Sequence, residues 1–164
     1  MTEPATPSER ARTRIVIIGA GFSGIGAAIR LLRAGEDDFV ILERADELGG
    51  AWRDNVYPGC RCDVPSNLYS FSFAPNPNWH HTYAGQDEIW EYMRATAERF
   101  GVVAHIRFSH RVLDAVWNDS LGWTVTTDRG AFGCQYVIAA TGSLAEPNTP
   151  AIPGAGRFAG VVMH

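Results

Sequence analysis

The sequence predicts an α/β fold in which a parallel sheet is flanked by helices and carries an inserted antiparallel β-meander. Two unbroken aliphatic runs, Ile15–Ile18 and Phe39–Leu42, are typical of parallel strands that are buried on both faces. A helical pattern lies between them. A third aliphatic run, Tyr136–Ala140, follows several short β-rich segments. This order indicates a βαβ unit with the meander inserted before the last strand.

A glycine motif joins the first strand to the first helix. Gly19, Gly21 and Gly24 have the spacing Gly-x-Gly-x-x-Gly. Gly19 permits a tight turn, Gly21 lets a pyrophosphate approach the backbone, and Gly24 lets the helix pack close to the strand. The start of the helix presents free N–H groups and the positive end of its dipole, which favour an anion. The motif therefore predicts a dinucleotide bound at this turn.

An acidic residue ends the second strand. The helix before that strand is predicted over Phe22–Ala34, with Gly35 just after its end. Glu43 follows Gly24 by 19 residues, about where a dinucleotide-binding fold places its ribose-binding acid. A carboxylate there accepts hydrogen bonds from both ribose hydroxyls and repels a 2′-phosphate, although the neighbouring Arg44 could bind such a phosphate. A glutamate that merely caps the strand is the alternative interpretation.

Residues 44 to 85 form a long segment with few helix or strand signals. A loop of this length inside a compact domain is either functional or disordered. Its aromatic side chains are too many to leave in solvent. The segment is therefore predicted to be a functional loop that lies over an apolar surface or under a neighbouring domain. Its aromatic residues include Trp52, Tyr57, Tyr69, Phe71, Phe73 and Trp79.

The second half of the chain begins with a helix predicted over Gln86–Phe100, which ends at Gly101. Short β-rich runs then alternate with turn residues and are predicted to form the antiparallel meander. These runs are Val102–Phe108, Arg111–Trp117, Gly122–Thr127 and Ala131–Cys134. The last strand stops at Thr141 and Gly142, at the sheet edge where open α/β sheets bind their ligands.

Composition argues against several classes of function. The formal net charge is −4 and no basic stripe is interleaved with aromatic residues, which argues against a nucleic-acid partner. No apolar run approaches the roughly 20 residues needed to cross a bilayer, so no membrane partner is expected. The three cysteines fit a reducing cytoplasm. Cys60-Arg61-Cys62 lacks the second ligand pair of a metal site, so no metal is expected.

The two ends of the chain are predicted to lie outside the folded domain. Residues 1–12 are polar and contain proline, and they are predicted to form a disordered tail. Residues 13–145 are predicted to form the domain itself. Residues 146–164 are rich in proline and glycine and are predicted to form a linker.

Three groups of motifs together resemble the Baeyer–Villiger monooxygenases, flavoproteins with two dinucleotide-binding domains. The first is the glycine turn with Glu43. The second is the segment 49–63, which is similar to the family's Gly-Gly-x-Trp … Tyr-Pro-Gly-x-x-x-Asp pattern, with Ala51 where the family often has Thr. The third is Ala140-Thr141-Gly142, followed by the segment 158–164. That segment matches Phe-x-Gly-x-x-x-His, the first half of the monooxygenase fingerprint.

The resemblance covers residues 13–164 and implies a Rossmann-like FAD-binding domain with FAD and NADPH as cofactors. In such enzymes NADPH reduces the flavin, O2 then gives a C4a-peroxyflavin, and a small ketone becomes an ester or lactone. The NADPH-binding domain, the returning half of the FAD domain and the catalytic arginine are expected outside these residues. His164 is expected to help couple domain movement within the linker fingerprint.

The resemblance also implies which residues contact FAD. The contacts expected around its pyrophosphate and adenosine are Gly19, Gly21, Phe22, Ser23, Gly24, Glu43, Arg44 and, through its backbone at the adenine, Val112. The contacts expected toward its flavin and at the end of the last strand are Gly50, Ala51, Trp52, Arg61, Cys62, Asp63, Tyr69, Ala140, Thr141 and Gly142.

Asp63 is the one catalytic candidate that the resemblance implies in this chain. A carboxylate there would hold and tune the absent arginine while that arginine stabilises negative charge on the cofactor. An Asx-type turn residue ahead of Val64-Pro65 is the alternative.

Rival functions remain open at the level of the sequence. An N- or S-oxygenating flavin monooxygenase has a fingerprint that begins alike, although the segment from Tyr57 to Asp63 favours the Baeyer–Villiger branch. A truncated, non-catalytic FAD-binding module is the second rival. An NAD(P)-binding domain is disfavoured by the meander before Tyr136 and by the Gly49-Gly50 pair.

Overall fold

The structure is a computed structural model that describes residues 11–146, 148 and 150–162. Its strands are β1 (Ala11–Arg12), β2 (Ile15–Ile18), β3 (Phe39–Leu42), β4 (Ile106–Arg107), β5 (Val112–Asn118), β6 (Gly122–Thr127), β7 (Gly130–Cys134) and β8 (Tyr136–Ala139). Its helices are α1 (Phe22–Arg33), α2 (Ala51–Asp54) and α3 (Gln86–Arg99). The predicted mixed α/β fold is confirmed.

The parallel sheet has the strand order β4-β3-β2-β8. Strand β2 pairs with both β3 and β8 in parallel, so that Ile18 lies beside Leu42 on one side and Ala139 on the other. The carboxyl ends of these strands therefore meet at one edge. The backbone continues this alignment past the strands, since Gly19 N donates to the carbonyl of Leu42 at 2.9 Å.

Alternate residues of the parallel strands face different layers. Ile17 and Ile41 are fully buried and belong to the core cluster that includes Ile25 and Ile29 of α1 and Met93 of α3. On the opposite face, the side chains Val16, Val40 and Leu42 share a separate cluster with Val125 and Cys134 of the meander. Helices cover one face and the meander covers the other, which explains the unbroken aliphatic runs.

The meander forms a second sheet with the order β1-β7-β6-β5. Strands β5, β6 and β7 pair antiparallel in sequence, as predicted. Strand β1 adds to this sheet in parallel with β7 and places Ala11 beside Phe132. Ala11 and Arg12 thus belong to a strand, although the sequence placed them in a tail. Residues 1–10 of that predicted tail lie outside the described residues.

One predicted strand of the meander is wrong. Val102–His105 forms a 3₁₀ turn, and the Ile106–Arg107 strand that follows pairs in parallel with β3 in the other sheet. Gly101, at φ +73°, turns the chain after α3. Val102 is then fully buried against the helical layer. The conformation of residues 102–107 is set by their burial in the tertiary structure, because local β propensity does not specify which strand a segment pairs with.

The predicted functional loop lies over the helical layer. The ring of Phe22 at the start of α1 is 5.2 Å from Tyr69 and 4.9 Å from Phe71. Tyr92 of α3 holds the same region, because its hydroxyl donates to the Ala74 carbonyl and accepts from Phe71 N, each at 2.8 Å. The aromatic side chains thus find the apolar surface that the sequence requires for them.

The described residues beyond Glu146 are exposed, and Ala155–Arg157 forms a single 3₁₀ turn among them. His164, which the sequence assigns to the linker fingerprint, lies outside the described residues. None of the helices in the described part of the chain combines the length and the apolar character needed to cross a membrane.

Candidate dinucleotide site

A cleft of about 590 Å³ opens at the edge where β2, β3 and β8 end. Most of the residues predicted to contact FAD line it, as expected for an open α/β sheet. These residues are Gly19, Gly21, Phe22, Ser23, Glu43, Arg44, Gly50, Ala51, Trp52, Tyr69, Val112, Ala140, Thr141 and Gly142. Gly24, Arg61, Cys62 and Asp63 are not among the lining residues.

The first glycine turn has a separate geometry at each glycine. Gly19 has φ +100°, and a Cβ there would lie 2.6 Å from the carbonyl oxygen of Ala140. A Cβ on Gly24 would lie 1.9 Å from the Gly19 carbonyl oxygen, so Gly24 permits helix packing rather than ligand contact. A Cβ on Gly21 would meet only Gly50 Cα at 3.8 Å. The missing side chain of Gly21 therefore leaves space in the cleft itself.

The carboxylate of Glu43 lies at the floor of the cleft and is only 6% exposed. Its Oε2 accepts from Ala20 N at 2.7 Å, and its Oε1 accepts from Ala45 N at 2.9 Å. Glu43 thus does fix the backbone at the strand end, as the alternative interpretation holds. Each carboxylate oxygen can accept further bonds, and the side chain still faces the cleft, so ribose recognition remains compatible with this anchoring.

Arg44 closes the rim of the cleft. Its guanidinium donates to the Ala145 carbonyl at 2.8 Å and forms an ion pair with Glu146. Asp54 of α2 lies 3.7 Å away on the other side. Two carboxylates therefore balance this charge, and the guanidinium links α2 to the segment that follows β8.

A second glycine turn faces the first. Gly49 and Gly50 have φ values of +132° and +54°, which favour glycine. Gly49 N donates to the Ala20 carbonyl at 3.0 Å. A Cβ on Gly50 would lie 3.2 Å from Gly21 Cα, tighter than an ordinary contact. The two turns can approach this closely because both positions lack side chains.

Trp52 and Tyr69 line the cleft as a hydrogen-bonded aromatic pair. The indole Nε1 of Trp52 donates to the Tyr69 hydroxyl oxygen at 2.8 Å, and the rings meet edge to face. Burial raises the pKa of the Tyr69 phenol, the hydrogen bond from Trp52 lowers it, and the charges of Cys62 and Asp63 raise it further. The phenol is therefore neutral near pH 7 and keeps its own proton.

The segment with the catalytic candidate, Arg61–Asp63, does not line the cleft. Arg61 donates to the Tyr83 carbonyl at 3.0 Å, and Cys62 N donates to the Ala84 carbonyl at 3.0 Å. Asp63 is exposed to solvent. Its charge reaches the cleft through its effect on the pKa of Tyr69. No group of metal-ligating side chains occurs within the described ranges.

Several lining residues were missed by the sequence analysis. His110 and Arg111 precede β5, and the segment 143–146 follows β8. His110 N donates to the Glu43 carbonyl at 2.8 Å, which brings the start of β5 beside the end of β3. These positions carry no motif. Their placement just beyond strands that reach the ligand-binding edge was the only available signal.

The cleft, its paired glycine turns and the buried acid define a dinucleotide-binding α/β domain. The family model described as pyridine nucleotide-disulphide oxidoreductase matches residues 16–164. The chain therefore belongs to this family.

Two curated relatives show which enzymes the chain resembles. A Baeyer–Villiger monooxygenase of Streptomyces coelicolor is 51% identical over 152 residues, which cover 92% of this chain and 29% of the relative. A Baeyer–Villiger monooxygenase of Pseudomonas aeruginosa is 37% identical across all of this chain and 32% of the relative. The resemblance predicted from the motifs is confirmed. The chain spans about 30% of the length of these curated relatives.

A solved structure of a monooxygenase has the same fold over most of this chain. The crystal structure of a cyclohexanone monooxygenase from Rhodococcus sp. Phi1 bound to NADP+ matches with a TM-score of 0.82 and 37% identity. The match covers 91% of this chain and 29% of that one. The described fold is therefore that of one portion of a larger flavoprotein architecture.

Proposed function

We propose that the chain is the FAD-binding N-terminal part of an NADPH- and O2-dependent flavin monooxygenase that converts small ketones to esters or lactones. The observation that carries the proposal is one cleft in which two facing glycine turns lie beside a buried acid at the strand ends. The relatives support it, since they are named Baeyer–Villiger monooxygenases and match this chain over most of its length.

The donors and spaces of the cleft fit FAD. Within the described chain, no side chain caps the start of α1. The first N–H groups of this helix are therefore available to a pyrophosphate at Phe22 and Ser23. Glu43 offers its carboxylate to the ribose hydroxyls, and Val112 lines the adenosine side. Gly21 and Gly50 leave room for the pyrophosphate to contact the backbone.

We assign the remaining wall of the cleft to the flavin. Ala51 and Trp52 line it beside Gly50, and Tyr69 offers its hydroxyl proton as a donor. Bound FAD would supply the redox chemistry that activates O2. In our proposal, Asp63 holds a catalytic arginine that lies outside this chain. The Asp63 carboxylate is exposed and therefore accessible to such a partner. We also propose a cytoplasmic location, which the free thiols among the described residues support.

The test is a titration of the purified chain with FAD, followed by desalting and a visible spectrum. Gly21→Ala is the informative variant, because the new Cβ makes only an ordinary 3.8 Å contact with protein yet projects into the cleft. We expect this variant to fold like the parent and to lose FAD. Gly156→Ala is the matched control, since a Cβ there meets nothing within 4 Å.

Retained flavin in the parent and in the control, with loss in Gly21→Ala, is the expected result. Equal FAD binding by Gly21→Ala and the parent would place the cofactor elsewhere and overturn the assignment of this cleft. No binding by the parent, even with the downstream sequence restored, would overturn the proposed function.

A further inference from the structure

Two side chains on the first two turns of α3 reach the second glycine turn. Gln86 and Trp90 are four residues apart, so they lie on the same face of the helix. The side-chain amide of Gln86 donates to the Trp52 carbonyl. The indole Nε1 of Trp90 donates to the Leu48 carbonyl at 2.8 Å. These two carbonyls bracket the segment Leu48–Trp52.

Backbone hydrogen bonds already hold the start of the bracketed segment, among them Gly49 N to the Ala20 carbonyl, but they leave the carbonyls of Leu48 and Trp52 to the side chains of α3. Helix α2 spans only Ala51–Asp54, so it is too short to satisfy its own last carbonyls. Gln86 supplies a donor for one of them, at Trp52. The backbone N of Gln86 also donates to the Cys60 carbonyl at 3.1 Å. The start of α3 therefore joins the flavin-side wall to the segment that leads to Asp63.

The ring of Trp90 packs against both Gly49 and Arg94. A Cβ on Gly49 would lie 2.7 Å from Trp90 Cδ1, so the indole fills the space that this glycine leaves. The guanidinium of Arg94 lies over the ring, 4.4 Å from its centroid. The indole donor is thus held in one direction, toward Leu48.

We propose that Gln86 and Trp90, together the α3 clamp, are positioning residues that hold the second glycine turn against Gly21 and set the direction of the Trp52 indole. The inference rests on the proposed function, because it concerns how the same cleft is shaped for FAD. Neither side chain lines the cleft. Both act through the backbone between Leu48 and Trp52.

One substitution can distinguish whether these side chains only stabilise the fold or also position the second glycine turn. Helix α3 is anchored by other buried side chains, among them Ile89, Met93 and Ala97. Gln86→Glu keeps the side-chain shape and places a negative charge at the N-terminus of a helix, where it is favourable. It also replaces the amide donor with a carboxylate that cannot donate to the Trp52 carbonyl. A structural role therefore predicts no loss from this substitution, whereas positioning predicts a weaker site.

The first experiment uses the full chain labelled with ¹⁵N in its tryptophan indoles, of which there are five. Trp52→Phe assigns the Trp52 signal. We expect Gln86→Glu to shift that signal, because the Trp52 backbone moves and its bond to Tyr69 changes. Gln135→Glu is the matched control on an exposed residue of the meander, and it should leave the signal in place. An unchanged Trp52 signal in Gln86→Glu would overturn the inference.

The second experiment measures FAD affinity at pH 8. Gln86→Glu and Trp90→Phe should each weaken FAD binding by about tenfold, the size expected for one lost hydrogen bond that orders a site. Trp117→Phe is the control for the indole, since Trp117 is 50% exposed on the meander. Parent-like affinity in both clamp variants would overturn the inference while leaving the proposed function intact. Absence of FAD binding by the parent would count against the proposed function, and the indole spectra would still decide the clamp.

Discussion

Gly21 and Gly50 face each other at the base of the cleft, so closely that a Cβ on Gly50 would lie 3.2 Å from Gly21 Cα. Gly21 ends the turn after β2, and Gly50 lies in the long loop of residues 44 to 85. Their approach brings the start of α1 and the wall formed by Gly50, Ala51 and Trp52 onto the same space. A pyrophosphate could then contact both backbones, which is a role that side chains at either position would prevent.

This approach predicts the effect of Gly50→Ala. The new Cβ would press on Gly21 Cα, and a side chain at φ +54° and ψ −130° adds a strain of about 1–3 kcal/mol. We expect the turns to separate and FAD affinity to fall by about tenfold or more. Titration with FAD, followed by visible absorbance, measures the change.

Gly59→Ala is the matched control for that experiment. Gly59 also has a positive φ, +82°, but a Cβ there meets nothing within 4 Å. This variant carries the backbone strain without the contact, so FAD affinity should stay close to that of the parent. If the two variants bound FAD equally weakly, strain alone would explain the loss and the contact would have no role.

Glu43→Gln tests the anchoring of the buried acid. The carboxylate accepts from Ala20 N and Ala45 N through different oxygens, whereas an amide has one oxygen and would turn its NH2 toward a donor. Leaving one buried donor unsatisfied costs about 1–3 kcal/mol of unfolding free energy. Chemical denaturation measures this cost, and a parallel titration should show weaker FAD binding.

Glu47→Gln removes a nearby exposed carboxylate and serves as the control for charge. It should change the unfolding free energy by less than about 0.5 kcal/mol. A Glu43→Gln chain as stable as the Glu47→Gln chain would contradict the anchoring that the two short backbone contacts indicate.

The parts of the fold that sequence predicted well are those with a strong local pattern. The strands Ile15–Ile18 and Phe39–Leu42 and the helix that starts at Phe22 agree with the structure because glycine spacing and aliphatic runs specify them locally. The run that begins at Val102 was wrong because its pairing partner, β3, lies far away in sequence. Strand pairing of that kind leaves no local signal.

The site residues also divide into those with a local sequence signal and those without one. The motif residues at Gly19 and Glu43 were predicted because spacing alone identifies them, and both line the cleft. Gln86 and Trp90 were missed as site residues, since their effect depends on contacts with carbonyls 34 and 42 residues away. Whether Asp63 acts in catalysis stays a prediction, because its exposed side chain does not line the cleft.

Gly24→Ala should destabilise the domain, contrary to helix propensity. Alanine in place of glycine inside a helix ordinarily stabilises it by about 1 kcal/mol. Here the Cβ would lie 1.9 Å from the Gly19 carbonyl oxygen, so α1 must move away from β2. Overpacking against backbone costs about 1–3 kcal/mol or more, which lowers the Tm by several degrees. Thermal unfolding monitored by circular dichroism measures it, and a Tm equal to or above that of the parent would contradict the contact.

The pKa of Tyr69 gives a prediction with a definite sign. Burial raises this pKa above the ordinary value of about 10, so the folded chain holds the phenolic proton more tightly than the unfolded chain does. The resulting stabilisation is fully present below pH 10 or so and is lost as the pH rises through the folded pKa. A tyrosinate titration of the parent and of Tyr69→Phe, followed by near-ultraviolet absorbance, isolates this group.

Trp52→Phe then tests the cause. The indole N–H stabilises the tyrosinate and so lowers the Tyr69 pKa, which means that its removal should raise that pKa further. Trp117→Phe, on the meander, should leave the titration unchanged. A Tyr69 pKa that falls in Trp52→Phe would show that the indole does not donate to the phenol. A rise would show that the phenol oxygen accepts from Trp52, which leaves the phenolic proton as the donor available to a flavin in the cleft.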